Sequence, residues 1–145
     1  MNTLKTLIVS IATWLATTAL SAADVQLELG SNDAMQFDKS ELKAAAGSEV
    51  TLTLTHNGKL PKAAMGHNFV LLKQGTDIAA FGTKAISAAA TEYIPEGKEV
   101  IAHTKLIGGG ESASVTFAAP PAGTYDFICS FPGHYALMKG KFIVE

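Results

Sequence analysis

The densest chemistry in this chain lies in one short stretch, Cys129-Ser130-Phe131-Pro132-Gly133-His134-Tyr135-Ala136-Leu137-Met138. Cys129 ends a run with strand alternation, Pro132-Gly133 turns the chain, and His134 and Met138 lie on the returning arm. A thiol, an imidazole and a thioether therefore converge from a single loop. The chain has one Cys, four His and four Met in 145 residues. Finding both partners at two chosen offsets from the cysteine has a chance on the order of one in a thousand. Thiolate and thioether are soft donors and imidazole is intermediate, which favours copper or zinc over calcium or magnesium. A structural zinc site takes four strong ligands and does not usually include methionine. Two His and one Cys in a plane, with a weak axial Met, is the donor set of blue-copper sites. A second histidine is needed, and spacing alone does not choose among His56, His67 and His103.

Two other uses of these residues are weighed. A cysteine hydrolase would use Cys129 as nucleophile with a histidine base, but a methionine has no role in that chemistry. A copper carrier or storage protein would use the same soft donors, but would favour exposed or multiple Cys and Met sites.

The elements that must position these donors read as strands. Val25, Leu27 and Leu29 alternate with polar residues, as do Val50, Leu52 and Leu54; Val115 and Phe117 share one parity, and Tyr125, Phe127 and Cys129 another. With turns at Gly30–Asp33, Asn57-Gly58, Gly108–Gly110, Pro120–Gly123 and Pro132-Gly133, the pattern predicts an antiparallel sandwich or barrel. A final strand is expected over Lys141–Val144. Thr76–Tyr93 breaks the pattern: it is rich in alanine, and Ile78, Phe81, Ala85, Ile86, Ala89 and Tyr93 recur at helical spacing. One helix on the outside of the barrel is expected there, stopped by Pro95-Glu96-Gly97.

The first residues read differently. Lys5 precedes the uncharged run Leu7–Leu20, and Ser21-Ala22-Ala23 offers a small-residue cleavage site. That order predicts a removable signal peptide over 1–23 and a single domain over 24–145. The run is too short for a spanning helix, which needs ~20 apolar residues. Export leads to an oxidising compartment where cysteines are usually paired, yet Cys129 has no partner, which again suits a metal ligand. Without Lys5 the net charge is about −3. No block of like charge points to nucleic acid or to an anionic membrane surface, and the lysines read as solvated surface.

Three segments carry a likeness to a known family. Leu60-Pro61-Lys62-Ala63-Ala64-Met65-Gly66-His67-Asn68 resembles the first ligand segment of azurins, the type 1 blue-copper proteins of the cupredoxin family. Ile101–Gly108 resembles another azurin signature, and Cys129–Gly140 is similar to the azurin ligand loop. Gly30–Phe37 extends the likeness toward the start. The resemblance implies an all-β, Greek-key sandwich or barrel of cupredoxin type with one short helical flap outside it. It implies one copper held by His67, Cys129, His134 and Met138, with the Gly66 carbonyl as a weak second axial contact. Asn68 and the backbone N–H of Phe131 would support the thiolate. His56 resembles the buried histidine that azurins keep near the site, a plain turn histidine being the alternative, and His103 reads as an ordinary strand residue. Two departures are evident: the family's usual disulfide is missing, with Gly47 near one expected place, and Phe69 stands where a tryptophan is usual.

The resemblance implies a periplasmic electron carrier, not an enzyme, with c-type cytochromes or periplasmic reductases as partners. Leu60, Ala64 and Met65 before His67, and Phe131, Pro132, Ala136 and Leu137 around His134, are unusually apolar for loops. They are expected to form a docking patch around His134, joined by Met35 on the strength of the resemblance.

Overall fold

The computed structural model describes residues 23–145. The expected signal peptide lies outside the described residues, except for Ala23. Among the described residues there are eight strands: β1 Asp24–Ser31, β2 Glu41–Ala44, β3 Glu49–His56, β4 Val70–Leu72, β5 Val100–His103, β6 Ser112–Ala118, β7 Gly123–Ile128 and β8 Lys139–Val144. They form two sheets, ordered β1-β3-β6 and β2-β8-β7-β4-β5, so the expected all-β sandwich is found without closure into a barrel.

The expected antiparallel pairing holds for β3–β6, β4–β5, β4–β7 and β7–β8, but not throughout. β1 runs parallel to β3, from Asp24↔Glu49 to Ser31↔His56, and β2 runs parallel to β8. The cause is the crossover. Between β1 and β3 the chain leaves for the other sheet to form β2, so it re-enters beside β1 in the same direction.

Alternation places the core. Val50, Leu52 and Leu54 of β3 are wholly buried, while Thr51, Thr53 and Thr55 point outward. Their hydroxyls pair with Thr116, Ser114 and Ser112 of β6 at 2.9, 2.8 and 2.9 Å. Leu29, Leu71, Phe69, Phe127 and Phe142 fill the space between the sheets. β4 is buried on both faces, because Val70 and Leu72 pack with Ile128 under Phe81 of the flap. A strand covered on both sides reads as a continuous apolar run, as Phe69-Val70-Leu71-Leu72 does.

The flap is shorter than expected. Its helix, α2 (Ile78–Ile86), follows α1 (Lys62–Met65), a single turn in the loop before His67. The Asp77 carboxylate caps α2 by accepting from Ala80 N–H at 3.0 Å. The helix stops at Ser87; Ala89–Thr91 forms a 3₁₀ turn, and Glu92 and Tyr93 adopt left-handed φ of 54° and 64°. Within this turn the Thr91 hydroxyl is within hydrogen-bond distance of the carbonyls of Ala88 and Ile94. α2 also braces the loop after β7: any side chain at Gly82 would collide with the Tyr135 ring.

β1, β3, β5 and β7 all end at one end of the sandwich, and β4, β6 and β8 all begin there. Every segment singled out for metal chemistry therefore gathers at that end.

Candidate metal centre

Cys129 directly follows β7 and is held across the sheet from Met138, its N–H donating to the Met138 carbonyl at 3.0 Å. The loop between them is closed by its own backbone. His134 N–H donates to Phe131 O at 3.0 Å, and Met138 N–H to His134 O at 2.8 Å. Gly133 turns this loop at φ 82°, with open space around its Cα. Glycine is required there by conformation and not by crowding. His67 comes from the other side, locked in an isolated bridge: its N–H donates to Ile107 O at 3.0 Å and its carbonyl accepts from Ile107 N–H at 2.9 Å.

The three side chains meet in the interior. Cys129 Sγ lies 3.6 Å from His134 Nδ1, 3.9 Å from His67 Nδ1 and 3.9 Å from the Gly66 carbonyl oxygen. The three donor atoms all lie within 4.8 Å of one another. Cys129 and His67 are fully buried, and His134 is 4% exposed. Bonds of ~2.0 Å to nitrogen and ~2.3 Å to sulfur at trigonal angles would separate sulfur from nitrogen by about 3.7 Å. The observed spacings match, so the donor set fits one ion of that kind.

The imidazoles are oriented for this role. His67 Nε2 is 2.8 Å from the Asn32 carbonyl, so it carries the proton and leaves Nδ1 with a lone pair toward the thiol. Burial pushes the His67 pKa down; the bond to the Asn32 carbonyl opposes this in part. His134 is pushed down to about 4, chiefly by burial and then by the neighbouring His67 and His56. Both rings are therefore neutral donors near pH 7. Burial pushes Cys129 up to about 12, against hydrogen bonds from the backbone N–H groups of Asn68 and Phe131. Burial disfavours the free thiolate, and a metal ion can displace the proton.

The expected supporting residues are in place. Asn68 Oδ1 accepts from Ser130 N–H at 2.8 Å, and its Nδ2 donates to Ser130 Oγ at 2.9 Å and Glu92 O at 3.3 Å. Ser130 Oγ in turn donates to Tyr93 O at 2.7 Å. Ser130, Glu92 and Tyr93 had not been singled out. The signal for Ser130 was its place beside the cysteine, whereas nothing local marks Glu92 or Tyr93. Their left-handed backbones aim two carbonyls at this network.

His56 proves to be both a turn residue and a buried neighbour of the site. It is wholly buried and stacks on His67 with ring centroids 4.3 Å apart. Its Nδ1 accepts from Gly58 N–H and its Nε2 donates to Met65 O, each at 3.0 Å, so neither nitrogen is free for a metal. Asp33, also not anticipated, lies 3.8 Å from His56 and accepts from the N–H groups of Lys59 and Leu60. These bonds hold its carboxyl below the usual range. His103 is exposed and stands apart from the cluster.

Met138 is fully buried beside Cys129. Gly66 is tightly enclosed: a Cβ would lie 2.7 Å from Lys62 O, 2.9 Å from Phe131 Cδ2 and 3.0 Å from Leu106 Cδ2. Phe69, in place of the usual tryptophan, packs against Phe127 at 5.5 Å between centroids. Gly47 sits in an exposed turn at φ 77°, where Ser48 Oγ bonds Ala45 O at 2.7 Å and the end of β8 is tied to Ala46.

Comparison with known proteins settles the family. A family model described as copper binding proteins, plastocyanin/azurin family, matches residues 23–145. The chain belongs to the plastocyanin/azurin family. It is 48% identical over 125 residues to azurin from Alcaligenes faecalis, covering 82% of this chain and 95% of that one. It is 49% identical over 115 residues to outer membrane protein H.8 of Neisseria meningitidis serogroup B, covering 77% of this chain. The match spans only 62% of that longer relative. Among solved structures it is similar to auracyanin A, a "blue" copper protein of Chloroflexus aurantiacus, with a TM-score of 0.78 and 39% identity. That likeness covers 85% of this chain and all of the other. Within the plastocyanin/azurin family, then, His67, Cys129 and His134 are positioned for a single copper ion.

Proposed function

We propose that this chain is an electron carrier of the azurin type, exported by residues 1–23 to the periplasm, with 24–145 as the copper domain. The observation that carries the reading is the buried Cys129–His67–His134 triangle, with sulfur 3.9 and 3.6 Å from two lone-pair nitrogens. Met138 and the Gly66 carbonyl would add weak contacts to an ion held there. Copper, when bound, supplies one-electron cycling between Cu(I) and Cu(II).

The chain's own residues do the rest. Backbone bonds fix each donor from a different element, so the ligand atoms have little room to rearrange between oxidation states. The N–H groups of Asn68 and Phe131 disperse charge on the sulfur. Burial excludes water from thiol and imidazoles. His134 is the one donor residue that reaches the surface, and its Nε2 has no hydrogen-bond partner among the described residues. It is the shortest covalent exit for an electron. Leu60, Ala64, Met65, Phe131, Pro132, Ala136, Leu137 and Met35, each exposed or half-buried, would form the apolar docking rim for c-type cytochromes or periplasmic reductases. A carrier or storage protein for copper needs donors that exchange metal readily, which this enclosure opposes.

The test is direct. Cu(II) added to the purified protein should give one equivalent of binding, an intense red-region band and a narrow copper hyperfine pattern by EPR; Cys129→Ser should abolish the band. A colourless copper complex of the unmutated protein would sink the proposal.

A further inference from the structure

Between His134 and Met138, one side chain anchors the ligand loop to the rest of the sandwich. Of the three residues that separate these donors, Ala136 and Leu137 are exposed, and only Tyr135 is half-buried. Its ring packs against the buried cluster of Val70, Leu72, Phe81 and Ile128. It also lies on the backbone of α2 at Gly82. A Cβ added there would come within 2.7 Å of Tyr135 Cγ, and closer still to Cδ1 and Cε1.

The helix itself has no use for a glycine at this place. Gly82 is buried in the middle of α2 and has none of the left-handed backbone that calls for glycine. Alanine stabilises a helix interior relative to glycine, and the segment is already rich in alanine. The Tyr135 ring occupies the space that the missing methyl leaves. Glycine here serves a contact with another element.

Tyr135 can pass that contact on to the donors. It lies within the 3₁₀ turn His134–Ala136, peptide-bonded to His134. Leu137 N–H and Met138 N–H both donate to His134 O, at 3.0 and 2.8 Å, so the turn moves as a unit. A close-packed interior transmits such a displacement instead of absorbing it. We infer that Gly82 is a positioning residue of the metal centre: by seating the Tyr135 ring, the flap helix sets where His134 presents its nitrogen to the ion. The inference rests on the copper-site reading and adds to it a control from outside the ligand segments.

The test is a double-mutant cycle on the copper-loaded protein, read by visible absorption, EPR and competition for copper with a chelator. Gly82→Ala should keep the red-region band but change its intensity relative to the blue-region band, shift the copper hyperfine splitting and weaken copper binding about tenfold. Its copper-free form should unfold at a lower temperature, although alanine favours a helix. In a Tyr135→Ala background the same substitution should leave spectrum and affinity as Tyr135→Ala alone has them, and should raise the unfolding temperature. Ala80→Gly, exposed and on the other side of the same helix, weakens the flap by propensity alone and should leave the spectrum unchanged.

A Gly82→Ala protein with unaltered spectrum and affinity overturns the inference. So does an effect of equal size in the Tyr135→Ala background, or an Ala80→Gly spectrum shifted as far as that of Gly82→Ala. If Gly82→Ala does not fold, Tyr135→Ala decides: a shifted spectrum with weaker copper binding supports the inference, and an unchanged spectrum and affinity overturn it. An unmutated protein that gives no red-region band with Cu(II) overturns the copper-site reading itself, and the inference with it.

Discussion

Mild acid should destabilise the copper-free protein before its carboxylates titrate. The His134 pKa is lowered from 6.5 to about 4 in the folded chain. Between those values the unfolded chain binds the proton more readily, so stability rises with pH and is lost as pH falls from 6.5 toward 4. One pKa unit corresponds to ~1.4 kcal/mol, which makes the full loss about 3 kcal/mol and the loss by pH 5 about 2 kcal/mol. His67, lowered by burial, adds to the loss with the same sign. Asp33, Glu99 and Glu111 also have lowered pKa values, mainly through backbone N–H bonds. Their contribution is lost only as pH falls through the carboxylate range, below about pH 5. Cys129, raised from 9.0 to about 12, contributes only above pH 9, where the unfolded thiol ionises first.

The window from pH 7.5 to pH 5 therefore isolates the imidazoles. Urea unfolding followed by circular dichroism should show a loss of at least ~2 kcal/mol across it. His134→Gln should show a loss smaller by about that amount. Equal stability at the two pH values, or an unchanged slope in the variant, would mean that the site does not hold its imidazoles neutral.

Three further outcomes are expected. Met138→Leu should keep copper and the blue band while raising the reduction potential, because losing thioether donation disfavours Cu(II); voltammetry giving an unchanged or lower potential would remove Met138 from the axial role. Gly66→Ala should destabilise by about 1–3 kcal/mol and shift the visible band, since the new Cβ meets Lys62 O at 2.7 Å; thermal unfolding and absorption spectra check both. Asn68→Ala strips the buried Ser130 N–H of its acceptor and should cost about 1–3 kcal/mol in chemical denaturation.

What could be read in advance followed from how local each signal is. Cys129 and His134 lie on one loop with Met138, so spacing alone brings the thiol and the imidazole together. Strand alternation in β3 works because one face is packed and the other solvated, which leaves Leu52 and Thr53 with opposite fates. His67 was different. It reaches the site through a bridge to Ile107 that no periodicity encodes, and only the family likeness of its flanking segment separated it from His56 and His103. The parallel pairings of β1 and β2 depend on the order in which strands change sheets, which alternation does not record. The helix beyond Ile86 was over-extended because alanine spacing measures helix propensity alone. It cannot see that the carbonyls of Glu92 and Tyr93 are drawn to Asn68 and Ser130.

That last contact explains how the sandwich can hold a soft, buried donor set without a disulfide. Asn68 adjoins His67, Ser130 adjoins Cys129, and the flap's end bonds both. From the opposite side Asn32, beyond the end of β1, holds the far nitrogen of His67, and His56, at the end of β3, stacks on the same ring. Displacing one donor would thus break hydrogen bonds to two or three elements at once, at ~1 kcal/mol or more for each buried bond. Substitutions in the loops should accordingly tune the site's potential and partner choice more readily than they abolish its geometry. Loss of the triangle should require changing a donor itself or severing the Asn68–Ser130 link.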